Sequence, residues 1–212
     1  MSIGVDSFVS QMSTGNPTIS VTVGEGSNRA LFFLEYIEDG SYSTSVEFNG
    51  VPLSLVFQRK TNDNAESLAV WVLASPDSGT HNIVSSGATS GKKHAVCIGV
   101  FTGVDQSTPA EASVGAGAKT VDITTLSANA WPFCMAGITV NNATVTPGAG
   151  LTKQTEASDN WFCDAWVDFN ATKDIGTYTL DYSSSATRFG IIAVSIKEFV
   201  PPVVNSNFLA FM

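Results

Sequence analysis

Apolar-patterned runs of about six to nine residues alternate along this chain with short knots of Gly, Asn, Asp, Ser and Pro. The stretch from Leu68 to Pro109 shows the grammar at its clearest. An aromatic-bearing run, Leu68 to Ala74, meets a turn at Pro76 to Gly79. A short extended run and a polar loop follow, and then the strongly apolar run Ala95 to Phe101. This pattern predicts strands near 68–74, 80–85 and 94–102. Thr18 to Val23 is β-branched and alternating, as in a half-buried strand. Arg29 to Ile37 is apolar on both parities, which predicts a strand covered on both faces. Thr44 to Phe48, Asn49-Gly50 and Val51 to Phe57 read as a hairpin, because Asn-Gly tolerates the two positive φ values of a type I′ turn.

Gln58 to Ser67 reads as a polar loop, and the small residues after Pro109 as a flexible stretch. Lys119 to Thr125 is a β-branched strand. Trp131 to Val140 places Trp131, Phe133 and Met135 on one parity and Cys134, Ala136, Ile138 and Val140 on the other. Leu151 to Ala157 and Asn160 to Phe169 read as an antiparallel pair joined at Ser158-Asp159. In the second member Trp161, Cys163, Ala165, Val167 and Phe169 are assigned to the core, and Phe162, Asp164, Trp166 and Asp168 to the opposite face. Gly176 to Tyr182 and Arg188 to Phe199 complete the set.

About twelve or thirteen short strands with no amphipathic helix predict an all-β fold, an antiparallel β-sandwich of jelly-roll type. No internal repeat and no composition break is evident, so one domain is expected over 18–199. Residues 1–17 are expected to form an extended N-terminal arm, docked on its own domain or on a neighbour. The tail, 200–212, is marked off by Pro201-Pro202 and ends in four large apolar groups, Phe208, Leu209, Phe211 and Met212. Such groups at a chain end are expected to be assembly contacts, either with another subunit or across the chain's own sandwich.

Composition narrows the choice of partners. Only 14% of residues are charged, against roughly 25% in an ordinary soluble domain, so hydroxyls and amides carry the solubility. A net charge of −9 with ten basic residues argues against nucleic acid, whose binding rests on clustered Lys and Arg. No run approaches the ~20 apolar residues of a membrane span. The N-terminus lacks a signal-peptide pattern, so synthesis in a cytoplasm is expected. Cys97, Cys134 and Cys163 are widely spaced in apolar runs and read as buried free thiols.

The search for chemistry returns little. His94 lies three residues before Cys97, which on a strand puts the two on opposite faces. His81 has no carboxylate or second histidine at ligand spacing. Ser85 to Lys93 imitates a phosphate loop but has three residues between Gly87 and Gly91 where four are needed. Glu38-Asp39 and Asp63 are sparse oxygen donors for calcium. Asp164 and Asp168 would stand about 13 Å apart at ~3.3 Å per residue, too far for a glycosidase pair. No enzyme activity, cofactor or metal is therefore expected. The face Phe162, Asp164, Trp166, Asp168 keeps three readings: the covered second face of a strand, a subunit contact, or a glycan-binding surface.

Val70-Trp71-Val72-Leu73 with Pro76-x-x-Gly79, and the strand ending Phe101-Thr102-Gly103-Val104-Asp105, resemble jelly-roll domains of phage virion proteins and some bacterial surface proteins. Asn28-Arg29-Ala30-Leu31 and Phe48-Asn49-Gly50-Val51-Pro52-Leu53 fit the same pattern, and the resemblance covers roughly 20–197. It implies a fold strongly and a function weakly. The expectation is a virion structural protein, a capsid decoration or tail-associated subunit that forms homo-oligomers or joins other virion proteins. A glycan-binding module on a phage or cell surface and an extracellular filament or surface-layer subunit are the alternatives.

Overall fold

The computed structural model describes residues 2–142 and 144–202, and within them the chain is all-β, built from antiparallel strands. The assembly contacts expected of Phe208, Leu209, Phe211 and Met212 lie outside the described residues. The first half contains β1 (Gly4–Thr14), β2 (Thr18–Val23), β3 (Ala30–Glu38), β4 (Ser45–Phe48), β5 (Val51–Pro52), β6 (Ser54–Lys60), β7 (Glu66–Ala74), β8 (Gly79–Ser86) and β9 (Lys93–Thr102). They form a five-stranded sheet in the order β1-β9-β3-β7-β6 and a four-stranded sheet in the order β2-β8-β4-β5. The chain crosses between the two sheets at every step except β4 to β5 and β6 to β7, as in a jelly roll.

The predicted strands at 68–74, 80–85 and 94–102 are β7, β8 and β9. The Asn49-Gly50 turn is present, with φ of 51° and 76°. The hairpin it closes is shorter than its sequence implies. After Pro52 the chain leaves for the other sheet, where β6 pairs with β7. Leu53 stays in the core while Leu55 is exposed. The expected loop from Gln58 is therefore partly strand. The extended segment expected before residue 18 docks on the chain's own domain: β1 pairs with β9 from Gly4↔Thr102 to Thr14↔Lys93, with one bulge, and is the edge strand of the central sheet. Its hydrophobes lack a clean period because one flank of the strand is open and the bulge shifts its register.

The second half repeats this plan. It contains β10 (Ala110–Ala116), β11 (Thr120–Thr125), β12 (Trp131–Thr139), β13 (Thr146–Pro147), β14 (Thr152–Ser158), β15 (Phe162–Asp168), β16 (Gly176–Ser183) and β17 (Arg188–Ile196). Its sheets run β10-β17-β12-β15-β14 and β11-β16-β13. Matching β10 to β1, β11 to β2, β12 to β3, β14 to β6, β15 to β7, β16 to β8 and β17 to β9 reproduces the first half's order. Local detail agrees: Asn28 (φ 54°) and Asn129 (φ 55°) make the same left-handed step just before β3 and β12. The repeat is invisible as sequence identity because a jelly roll demands only a burial pattern and a few turn residues, and many residues satisfy each.

The two five-stranded sheets pack face to face, so the molecule has four layers. One core lies between them and includes Phe32, Leu34, Tyr36, Leu68 and Phe101 from one side and Trp131, Phe133, Met135, Trp166 and Ile192 from the other. The outer face of each central sheet packs on its own small sheet, through Phe33, Trp71 and Ile98 in one half and Cys134, Ala165 and Ala193 in the other. Strand β1 lies against β14, and β6 against β10. The halves are thus related by a pseudo-two-fold axis running between the sheets along the strands. Close approach needs small residues at the centre: a Cβ on Gly137 would come within 2.8 Å of Tyr36, and one on Gly99 within 2.9 Å of Trp166. The small residues of β10, read as flexible, serve the same purpose at the edge, where a Cβ on Gly115 would meet Phe57 at 2.8 Å.

Candidate functional site

Both central sheets end at the same rim of the seam between the halves. There β3 ends in Glu38, β7 starts at Glu66 and β9 starts at Lys93, while β12 ends in Thr139, β15 starts at Phe162 and β17 starts at Arg188. Register makes these positions equivalent. Glu38 pairs with Glu66 as Thr139 pairs with Phe162, and Lys93 and Arg188 each open the last strand of their half. Together with Trp161 they line a pocket of about 290 Å³ at one end of the pseudo-two-fold axis. The duplicated positions have diverged, so that one half contributes two acids and the other a hydroxyl and two aromatics.

Ion pairs across the seam hold its sides. Lys93 Nζ lies 2.7 Å from Asp159 Oδ2, and Asp159 Oδ1 accepts hydrogen bonds from the backbone N–H groups of Trp161 and Phe162 at 2.7 and 2.8 Å. Burial works against the charge of Asp159, but Lys93 and those N–H groups outweigh it and hold the carboxyl below the usual range. Arg188 Nη1 donates to Glu66 Oε1 at 3.1 Å, and its Nε lies 2.8 Å from Asp63 Oδ2. Burial raises the pKa of Glu66 despite this partner. Glu38 Oε2 accepts from the Lys93 N–H at 3.0 Å. Behind the pocket the Tyr36 hydroxyl lies 2.6 Å from Thr139 Oγ1, its ring filling the space over Gly137. Trp161, assigned to the core by its parity, is instead 56% exposed. It sits in the turn before β15 begins, so the strand's alternation does not reach it.

Of the three readings of Phe162, Asp164, Trp166 and Asp168, the covered second face of a strand is the one the structure shows, and no glycan-binding surface exists there. Phe162 and Trp166 belong to the inter-sheet core, and Asp164 and Asp168 are buried beside them. Trp166 stacks on Phe133 with centroids 4.0 Å apart. Asp168 Oδ2 accepts from the indole N–H groups of Trp131 and Trp166 at 3.1 and 3.0 Å, and its Oδ1 from Gln154 and the Asn170 N–H. Alternation along β15 was read correctly. What alternation could not decide is which of the three readings holds, because that depends on whether a second sheet packs on the other face.

A further buried cluster lies inside the first jelly roll. Glu35 Oε2 is 2.5 Å from Ser43 Oγ and 3.1 Å from His94 Nε2, while its Oε1 accepts from Trp71 Nε1 at 3.1 Å. His94 Nδ1 lies 3.2 Å from the carbonyl oxygen of Gly15. Serine, histidine and glutamate meet here, but the carboxylate stands in the middle, whereas nucleophilic catalysis needs histidine between serine and acid. The cluster ties β3, β7 and β9 to the turn after β1. Its sequence signal was the single acid inside the apolar run of β3. His94 and Cys97 do face opposite ways, His94 into this cluster and Cys97 into the inter-sheet core. All three cysteines are free and buried, and burial raises the pKa of each thiol.

Among the described residues no helix is long and apolar enough to cross a membrane. Comparison of the chain with family models, with curated proteins and with solved structures finds no match in any of the three.

Proposed function

We propose that this protein is a non-enzymatic virion structural subunit, of the capsid-decoration or tail-associated kind. The observation that carries the reading is the fusion of two jelly rolls through a continuous apolar core. A contact that separate subunits would make as an isologous interface is here covalently internal, which makes a rigid block suited to repeated placement in an assembly. The resemblance of the Val70–Leu73 and Phe101–Asp105 segments to phage virion jelly rolls supports the same reading. Those segments lie in β7 and across the end of β9, the two strands that flank β3 in the central sheet. Partners would be further copies of the chain or other virion proteins.

The test is electron microscopy of the native particle with the chain tagged at its N-terminus. Density for the four-layer body at symmetry-related positions on a capsid or tail is expected. Purified particles that lack the protein would overturn the reading.

A further inference from the structure

We propose that the seam-end pocket formed by Glu38, Glu66, Lys93, Thr139, Trp161 and Arg188 binds a neutral sugar ring. The inference is independent of the assembly role, and it places recognition on a surface other than the buried face of β15. Three features of the pocket specify the ligand.

The first is an aromatic platform. Trp161 is the one tryptophan of the four that is open to solvent, while Trp71, Trp131 and Trp166 are buried. Its position is fixed at the backbone, where its N–H donates to Asp159 and its carbonyl accepts from Val140. A large apolar ring held open in this way beside polar groups suits a ligand with one apolar face and a polar edge. The C–H face of a pyranose has that character.

The second is charge balance. Glu38 and Glu66 line the pocket with Lys93 and Arg188, and each charge already has a partner: Lys93 with Asp159, Arg188 with Asp63 and Glu66, and Glu38 with Lys92 at 3.9 Å. A charged ligand would have to displace one of these pairs and leave its partner uncompensated. A neutral polyol has no such cost. Its hydroxyls donate to the carboxylates and accept from the ammonium and guanidinium groups, using capacity that the ion pairs leave open.

The third is size and placement. A pocket of about 290 Å³ lies at the small end of the ~300–1,000 Å³ typical of small-molecule sites, enough for one ring with a second at the mouth. Both halves supply its walls, on strand ends anchored in the central sheets, so the site is preorganised by the inter-sheet core.

The test titrates the intact protein with methyl pyranosides of glucose, galactose, mannose and N-acetylglucosamine, with sialic acid and glucosamine as charged comparisons. Saturation-transfer NMR and the acrylamide quenching of tryptophan fluorescence are the readouts. The expected result is binding of at least one neutral glycoside with protection of the quenchable tryptophan. Trp161→Ala should weaken that binding at least tenfold with an unchanged circular dichroism spectrum, and Trp161→Tyr should retain most of it. Failure of every neutral sugar to bind at 50 mM would overturn the proposal. So would binding confined to the charged sugars, or affinity unchanged in Trp161→Ala. Incorporation of Trp161→Ala into particles reports on the assembly role separately.

Discussion

Asp164 is the residue whose placement is hardest to account for by stability. It sits on β15 facing the opposite sheet, fully buried, and neither carboxyl oxygen has a hydrogen-bond partner. Burial, then the nearby charge of Glu35, pushes its pKa well above the ordinary carboxyl value. The folded chain therefore keeps the proton that the unfolded chain loses near pH 4. Stability from this group is fully present below that pH and declines as pH rises toward the folded value. Asp164→Asn should match the parent near pH 3.5 and exceed it at pH 7 in urea denaturation, with a flatter dependence between. Asp164→Val removes the unpaired group altogether and should add about 1–3 kcal/mol at pH 7. Asp168 predicts the opposite sign. Asp168→Ala strands two buried indole N–H groups, at about 1–3 kcal/mol each, and should lower the melting temperature and shift the tryptophan emission.

At the scale of elements, β1 is where sequence and structure diverge most. The sequence left open whether this segment docks on its own domain or on a neighbour, and the structure makes it a ladder partner along the length of β9. Its Phe8 meets Phe101 and Trp166 with ring centroids 5.9 and 5.2 Å apart. A chain beginning at Thr18 should lose the cooperative thermal transition of the parent, read by circular dichroism. A truncated protein that melts normally would show that β1 is dispensable. The short hairpin at Asn49-Gly50 carries a related lesson. Local turn chemistry sets where a hairpin begins, while the choice of partner for the residues beyond it belongs to the sheets. Leu55 and Phe57 were legible as strand but not as members of β6 on the far edge of the central sheet.

For the whole molecule, the consequence of the pseudo-two-fold is that neither half is finished alone. Separating the chain between Val104 and Asp105 would expose Phe32, Leu34, Tyr36, Leu68 and Phe101 on one piece and Trp131, Phe133 and Trp166 on the other. An apolar face of that extent promotes association. Each half expressed by itself should elute as a dimer or larger species, with co-expression giving a one-to-one complex, as measured by light scattering. A half that is monomeric with a cooperative melt would show that the inter-sheet core is not needed for folding.

The order of apolar and polar positions was enough to place most of the strands, the all-β class and the jelly-roll pattern, because strand alternation and turn chemistry are local; β1, the end of β6 and β10, which lack a clean apolar period, escaped it. It also settled which residues of β12 share a face, since parity within a strand is a geometric certainty once the strand is placed. It did not determine what lies over each face. Phe162, Asp164, Trp166 and Asp168 have the pattern of a binding surface until the first jelly roll covers them, and Trp161 has the pattern of a core residue until the turn at Asp159 lifts it out. The duplication and the pocket on its axis are likewise tertiary facts. They arise from pairing between residues roughly a hundred positions apart, where burial is decided by the opposing sheet and no local rule applies.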